Sequence, residues 1–104
     1  MTFEHTYTLK AKITLYNTGM GGRKKPVYSG YRPSFAFNTS KHYSGEIQLI
    51  GNEELKPGHS SLATIRLLPS STLIKHLKHN DEFIITEGNH AVGDGVIEEV
   101  ISDH

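Results

Sequence analysis

Thr6-Tyr7-Thr8-Leu9-Lys10-Ala11-Lys12-Ile13-Thr14-Leu15-Tyr16 alternates apolar and polar residues without interruption. Tyr7, Leu9, Ala11, Ile13 and Leu15 share one side, with Thr6, Thr8, Lys10, Lys12 and Thr14 on the other. That period of two predicts a strand with one face in a core and one in water. Working outward, Asn17-Thr18-Gly19-Met20-Gly21-Gly22 places three glycines in four positions and predicts a loop. Pro26-Val27-Tyr28 is a short extended piece. Alternation returns in Ser34–Thr39, with Phe35 and Phe37 inward, and in Glu46–Ile50, with Ile47 and Leu49 inward. Lys56-Pro57-Gly58 has the chemistry of a tight turn, proline presetting one φ and glycine permitting a positive one. Leu62–Leu68, Glu82–Thr86 and Val92–Ile101 complete the set, the last two joined by the hairpin connection Glu87-Gly88-Asn89-His90.

Six or seven short strands between turns predict an all-β fold, a sandwich or a closed barrel. Only Ser70–Asn80 has another rhythm. Leu73, Ile74 and Leu77 follow Pro69 and two serines able to cap a helix, so a short helical turn is expected near 70–80. The chain has 104 residues and no dividing linker, so residues 1–104 are expected to form one domain.

Composition narrows the function classes. There is no cysteine, which removes disulfides and thiolate metal sites. No apolar run approaches the ~20 residues needed to span a bilayer, and the N-terminus lacks a signal-peptide pattern, so a cytoplasmic location without membrane contact is expected. Eleven basic and eleven acidic residues give zero net charge, which disfavours general polyanion binding. Residues 1–45 nonetheless carry seven cations against Glu4 alone, whereas residues 46–104 carry ten acids against four cations. Either two patches of opposite sign or an evenly mixed surface could result.

No constellation assembles an active site. Gly19–Lys25 is glycine-rich and basic, but its spacing is not that of a phosphate loop and no Ser or Thr follows the lysines. His76-x-x-His79 near Asp81 is too sparse a donor set to predict a metal site. No Gly-x-Ser-x-Gly elbow is present. Glu98 and Glu99, neighbours on a strand, should point to opposite faces and so not act as a pair. The expectation is a protein without catalytic residues, cofactor, metal or small-molecule substrate. Arg23, Lys24 and Lys25 lie beside Tyr28, Tyr31 and Arg32, a mix that could hold a nucleic-acid backbone and stack on bases. Packing of both tyrosines on the barrel, with only their hydroxyls wet, is the favoured alternative. Arg32 has two candidate roles, contacting a partner or fastening its own loop through carbonyls.

Several runs resemble the third, C-terminal domain of elongation factor Tu. Gly21-Gly22-Arg23, Pro26 and Gly30-Tyr31-Arg32-Pro33 are similar to its Gly-Gly-Arg turn, aromatic strand and Gly-Tyr-Arg-Pro. Ser44–Leu49 resembles its Thr-Gly strand and Lys56-Pro57-Gly58 its Pro-Gly turn. Leu67-Leu68-Pro69 is similar to the strand-ending proline, Phe83–Gly88 to the late strand with its Glu-Gly turn, and Val92–Ile97 to the closing Val-Gly-x-Gly-Val-Val. The likeness covers roughly residues 7–101, and Ser70–Asp81 is longer than the family's connection there.

This resemblance implies a closed six-stranded antiparallel β-barrel with no catalytic residues. In the full factor such a domain packs on a second barrel, contacts the GTPase domain, helps hold the T stem of aminoacyl-tRNA and contributes to docking elongation factor Ts. The chain as given holds neither a GTPase domain nor a second barrel, so a working elongation factor is not expected. Arg23 matches a backbone-contacting arginine of the family, and Gly88 a glycine whose main chain approaches the tRNA. The family's glutamine after Gly-Tyr-Arg-Pro is Ser34, the arginine of its late turn is His90, and its basic position before the strand-ending proline is Leu68. Such charge-assisted bonds contribute ~1 kcal/mol or more each, so their loss disfavours tRNA.

The expected function is therefore protein binding by mimicry, as an immunity or antitoxin protein that neutralises a bacterial toxin or as a ligand of another partner of the factor. An RNA-binding accessory of translation is the alternative. The expected contact residues are Arg23, Lys24, Lys25, Tyr28, Tyr31, Arg32, Glu87 and His90, with Ser70–Asp81 as an added source of specificity.

Overall fold

The structure, a computed structural model, describes residues 7–37, 41–67 and 77–103. Six strands close a barrel: β1 (Tyr7–Leu15), β3 (Ser34–Ala36), β4 (Tyr43–Ile50), β6 (Ser60–Leu67), β7 (Glu82–Glu87) and β8 (His90–Asp103). Around the wall they run β1-β6-β4-β3-β7-β8, with every neighbouring pair antiparallel. A two-stranded ribbon of β2 (Val27–Tyr28) and β5 (Glu54–Leu55) stands apart from it. The 3-10 turn η1 (Thr18–Met20) interrupts the glycine-rich stretch, where the sequence predicted only a loop.

The alternation of β1 is realised in full. Tyr7, Leu9, Ala11, Ile13 and Leu15 are all buried. They form one apolar cluster with Ile47, Ala63, Ile65, Leu67, Ile85, Val92, Ile97 and the phenylalanines. Burying a side chain of this size contributes roughly 1.5–3 kcal/mol, so the inward rows dominate stability. Ala11 and Ala63 are register partners on the neighbouring strands β1 and β6, so two small side chains point inward side by side. Phe83 packs edge-on to Phe35 at 5.8 Å and tilted against Phe37 at 5.2 Å. Room for the Phe83 ring comes from Gly95, where a Cβ would lie 2.3 Å from the ring. Val27 and Leu55 extend the cluster beneath the ribbon, tying it to the barrel.

Two expectations are corrected. Strand β8 does not alternate strictly, because its register with β1 slips between Lys10 and Ala11 and again between Thr8 and Leu9. Lys10 faces Glu99 and Ala11 faces Ile97, leaving Glu98 as the extra residue of a bulge. Glu98 and Glu99 are consequently both exposed, instead of on opposite faces. Strand β4 also begins three residues earlier than its alternation predicted, at Tyr43. The predicted turn at Lys56-Pro57-Gly58 is present, with Gly58 at φ 85° and the His59 amide bonded to the Lys56 carbonyl at 3.1 Å.

The helical turn expected near 70–80 falls mostly on 68–76, outside the described residues, as does most of the added Ser70–Asp81 segment. Its described end is a turn that places Asn80 at φ 76° and joins β8 through Asn80 and Asp81 to Ile97. Among the described residues no helix is long and apolar enough to cross a membrane.

Candidate functional site

The loop between β1 and β2 is shaped by its own polar groups. Asn17 caps η1, its side-chain oxygen accepting the Gly19 amide at 3.0 Å. Gly21 follows at φ 90°, and the Gly22 amide returns to the Asn17 carbonyl at 3.1 Å. A Cβ on Gly22 would lie 2.2 Å from the Tyr16 carbonyl oxygen, so only glycine allows this closure. The Thr18 hydroxyl donates to the Arg23 carbonyl at 2.5 Å, which fixes the arginine's backbone.

Arg23 then turns inward on three groups. Its Nε donates to the Lys25 carbonyl at 3.1 Å, one terminal nitrogen pairs with the Glu87 carboxylate, and the guanidinium lies 5.2 Å over the Tyr31 ring. Tyr31 is placed by a turn and a bridge. Its amide bonds the Tyr28 carbonyl at 3.1 Å, and it exchanges backbone bonds with β4 through Gly30 and Ile47 at 2.8 Å each. Its hydroxyl donates to the same Glu87 oxygen at 2.5 Å. On the far side of the β7–β8 hairpin, His90 Nε2 donates to the Gly21 carbonyl at 2.6 Å, which requires the proton on that nitrogen. One hairpin, Glu87–His90, thus clamps Gly21, Arg23 and Tyr31, which lie 56 to 69 residues away in sequence.

Electrostatics follow from this geometry. Burial first, and then the hydrogen bond and charge of Glu87, push the Tyr31 hydroxyl well above the ordinary phenol range, with Arg23 opposing in part. Tyr16, at the start of the same loop, is also raised, by burial and by Asp94.

Of the eight residues expected to contact a partner, the structure gathers Arg23, Tyr31, Glu87 and His90 into this clamp. Lys24, Lys25, Tyr28 and Arg32 are exposed. Tyr28 does not pack on the barrel as expected: it is 57% exposed on the outlying ribbon, because β2 alternates and Val27 takes the inward position. Tyr31 does pack, but its hydroxyl is bonded to Glu87 and not left to water. Arg32 does not fasten its loop, having no hydrogen-bond or ion-pair partner among the described residues. Sequence reasoning missed the pairing of Arg23 with Glu87, since nothing local couples positions 64 apart. It also missed the roles of Thr18 and of the Gly21 and Lys25 carbonyls, which no side-chain pattern announces.

Among the described residues no three His, Asp or Glu side chains converge on a point that could hold a metal. His76 lies outside them, His79 is exposed, and Asp81 accepts the Lys78 amide at 3.0 Å.

The fold and this clamp define an all-β domain, a closed six-stranded antiparallel barrel with a basic glycine-rich loop held against a Glu-Gly hairpin. The chain belongs to the elongation factor Tu C-terminal domain family, whose model matches residues 2–101.

Proposed function

We propose that this domain is a non-catalytic protein-recognition module acting in the cytoplasm, and that it serves as an immunity or antitoxin protein. In this role the loops around Arg23–Lys25, Tyr28–Arg32 and Glu87–His90 seat on a bacterial toxin that recognises elongation factor Tu. The observation that carries it is the internal commitment of Arg23. The family's backbone-contacting arginine is here neutralised by Glu87 and covered by Tyr31, so a phosphate would have to compete with a carboxylate already in place. The side chains left outside, Tyr28, Arg32, Lys24 and Lys25, include the two types, Tyr and Arg, that dominate protein interface hot spots. A docking partner of the full elongation factor is the other protein occupant of the same surface.

The competing reading, an RNA-binding accessory of translation, is favoured by the exposure of Lys24, Lys25 and Arg32. Two measurements separate the readings. Gel shift with tRNA at about 50 and 200 mM salt should show little binding, whereas a phosphate-driven complex would be tight at low salt and collapse steeply at high salt. Pull-down with the product of the adjacent gene should retain a toxin domain, and Tyr28→Ala with Arg32→Ala should release it. A salt-sensitive tRNA complex without any such capture would replace the mimicry account with the RNA one.

A further inference from the structure

The charge asymmetry of the sequence becomes a property of the barrel wall. Strands β1 and β6 carry Lys10, Lys12 and Arg66 and not one acid. Strands β7 and β8 carry Glu82, Glu87, Asp94, Glu98, Glu99 and Asp103 and neither lysine nor arginine. The strand order brings β1 directly beside β8, so a basic wall and an acidic wall meet at that seam. Register fixes the rows across it: Thr14 faces Asp94, Lys12 faces Val96 and Lys10 faces Glu99. The bulge described above adds Glu98 to the outward acids.

Among the described residues the ion pairs are Arg23–Glu87 and Lys56–Glu54, so Lys10, Lys12, Arg66, Glu98 and Glu99 are not engaged in salt bridges there. Asp94 acts on Tyr16, whose hydroxyl it helps, after burial, to push above the ordinary phenol range. Apolar side chains stand among these charges. Leu62 and Val96, each 37% exposed, flank Lys12 as its register partners on either side, and Ile101 is 48% exposed further along β8. Apolar side chains rimmed by charged ones are one mark of a protein interaction surface.

We propose that two copies of this domain pair through the β1–β8 seam, about a two-fold axis running along it parallel to the strands. An isologous contact needs a patch complementary to itself. Such an axis keeps each row at its own height while exchanging the two strands. Lys10 of one copy then faces Glu99 of the second, Thr14 faces Asp94, and the stem of Lys12 lies against Val96, each contact occurring twice. Because the whole chain is neutral, no net repulsion opposes the pairing. A convex barrel can bring just such a narrow strip of two strands into contact, so the dimer is weak and salt-sensitive. It uses neither Arg23 nor Tyr28, and it stands or falls independently of the toxin reading.

Sedimentation equilibrium of the full chain tests this, at increasing concentration and at about 50 and 500 mM salt, where screening differs several-fold in range. The expected result is a concentration-dependent dimer whose Kd rises several-fold with salt. Lys10→Glu with Lys12→Glu, and separately Glu98→Lys with Glu99→Lys, should each raise that Kd at least about tenfold, since like charges then oppose across the axis. Mixing the two variants should restore dimers, now of one copy of each. Circular dichroism of each variant verifies that the barrel is retained, and restoration on mixing cannot come from unfolded chains. Monomer mass at every concentration, a dimer indifferent to both reversals, or variants that fail to pair when mixed would each overturn the proposal.

Discussion

The barrel wall and the loop of residues 16–32 are held by different physics. In the wall, strands β1, β6 and β8 lock together through long registers and a buried apolar face, and stability is spread over many side chains. In the loop, beyond buried Val27 and the packed ring of Tyr31, the contacts are few and polar, and they converge on the Glu87–His90 hairpin. Distributed burial resists change at the surface but punishes any change of volume inside. A convergent polar clamp contributes little to global stability, yet a single atom of Glu87 decides how the loop is presented. Presentation of the loop can therefore be retuned at one carboxylate without putting the fold at risk.

The largest effect that would break this contrast lies inside the barrel. Phe83→Ala removes a ring that meets Phe35 and Phe37, and should cost about 3–5 kcal/mol. Domains of this size have total stabilities of about 5–15 kcal/mol, so the variant should show a much lower midpoint in denaturant, or no folded baseline. Gly95→Ala comes next. Its methyl would sit 2.3 Å from the fixed Phe83 ring, and overpacking should cost about 1–3 kcal/mol. A midpoint unchanged in Gly95→Ala would mean the ring is free to move and the core less tightly matched than described.

Glu87→Gln probes the other region and should separate stability from presentation. Its carboxylate is half-exposed, so loss of the ion pair should cost about 1 kcal/mol or less. Hydrogen exchange at Gly30 and Ile47, whose backbone bonds anchor the loop, should nevertheless quicken, while amides of β1 and β6 keep their protection. Freed Arg23 should also raise tRNA binding in gel shift at low salt. If exchange instead quickened across the whole barrel, the clamp would be part of the global fold and the contrast would fail.

How much of this was legible in the sequence follows the same division. Strand positions were readable wherever one face is buried, because burial imposes a period of two on the residues themselves: Tyr7–Leu15 and Leu62–Leu67 are the clearest cases. Bulges were not readable. Glu98 and Ile101 interrupt the pairing of β8 with β1, and nothing in Ile97–Ser102 distinguishes an extra residue from a paired one. Closure was not derivable from alternation either, which fits a sandwich equally well; the family resemblance supplied it. At the site, the residue types were visible as a basic aromatic cluster and a Glu-Gly turn. Their contacts were not, since Arg23 and Glu87 meet only because β7 pairs with β3 and the chain after β2 crosses β4 at Tyr31. The exposure of Tyr28 likewise depends on β5, a two-residue strand too short to leave a pattern.

An effect of similar size is the most specific to the clamp. Tyr31 donates its proton to Glu87, and burial together with that carboxylate raises its folded pKa above the unfolded value near 10. Below pH 10 both states hold the proton, and the contribution is fully present. As pH climbs above 10 the unfolded chain releases its proton while the folded one keeps it, so stability falls over that alkaline window. Tyr31→Phe keeps the ring under Arg23 but has no proton to release. It should be less stable than the native chain by about 1 kcal/mol at pH 7, through loss of a bond to a charged acceptor moderated by solvent. The difference should shrink steadily between pH 10 and 11.5 as the native chain loses ground and the variant does not. Denaturation midpoints at matched pH values measure this directly. Parallel alkaline slopes in the two proteins would place the Tyr31 hydroxyl in water, and the clamp would then rest on Arg23 and His90.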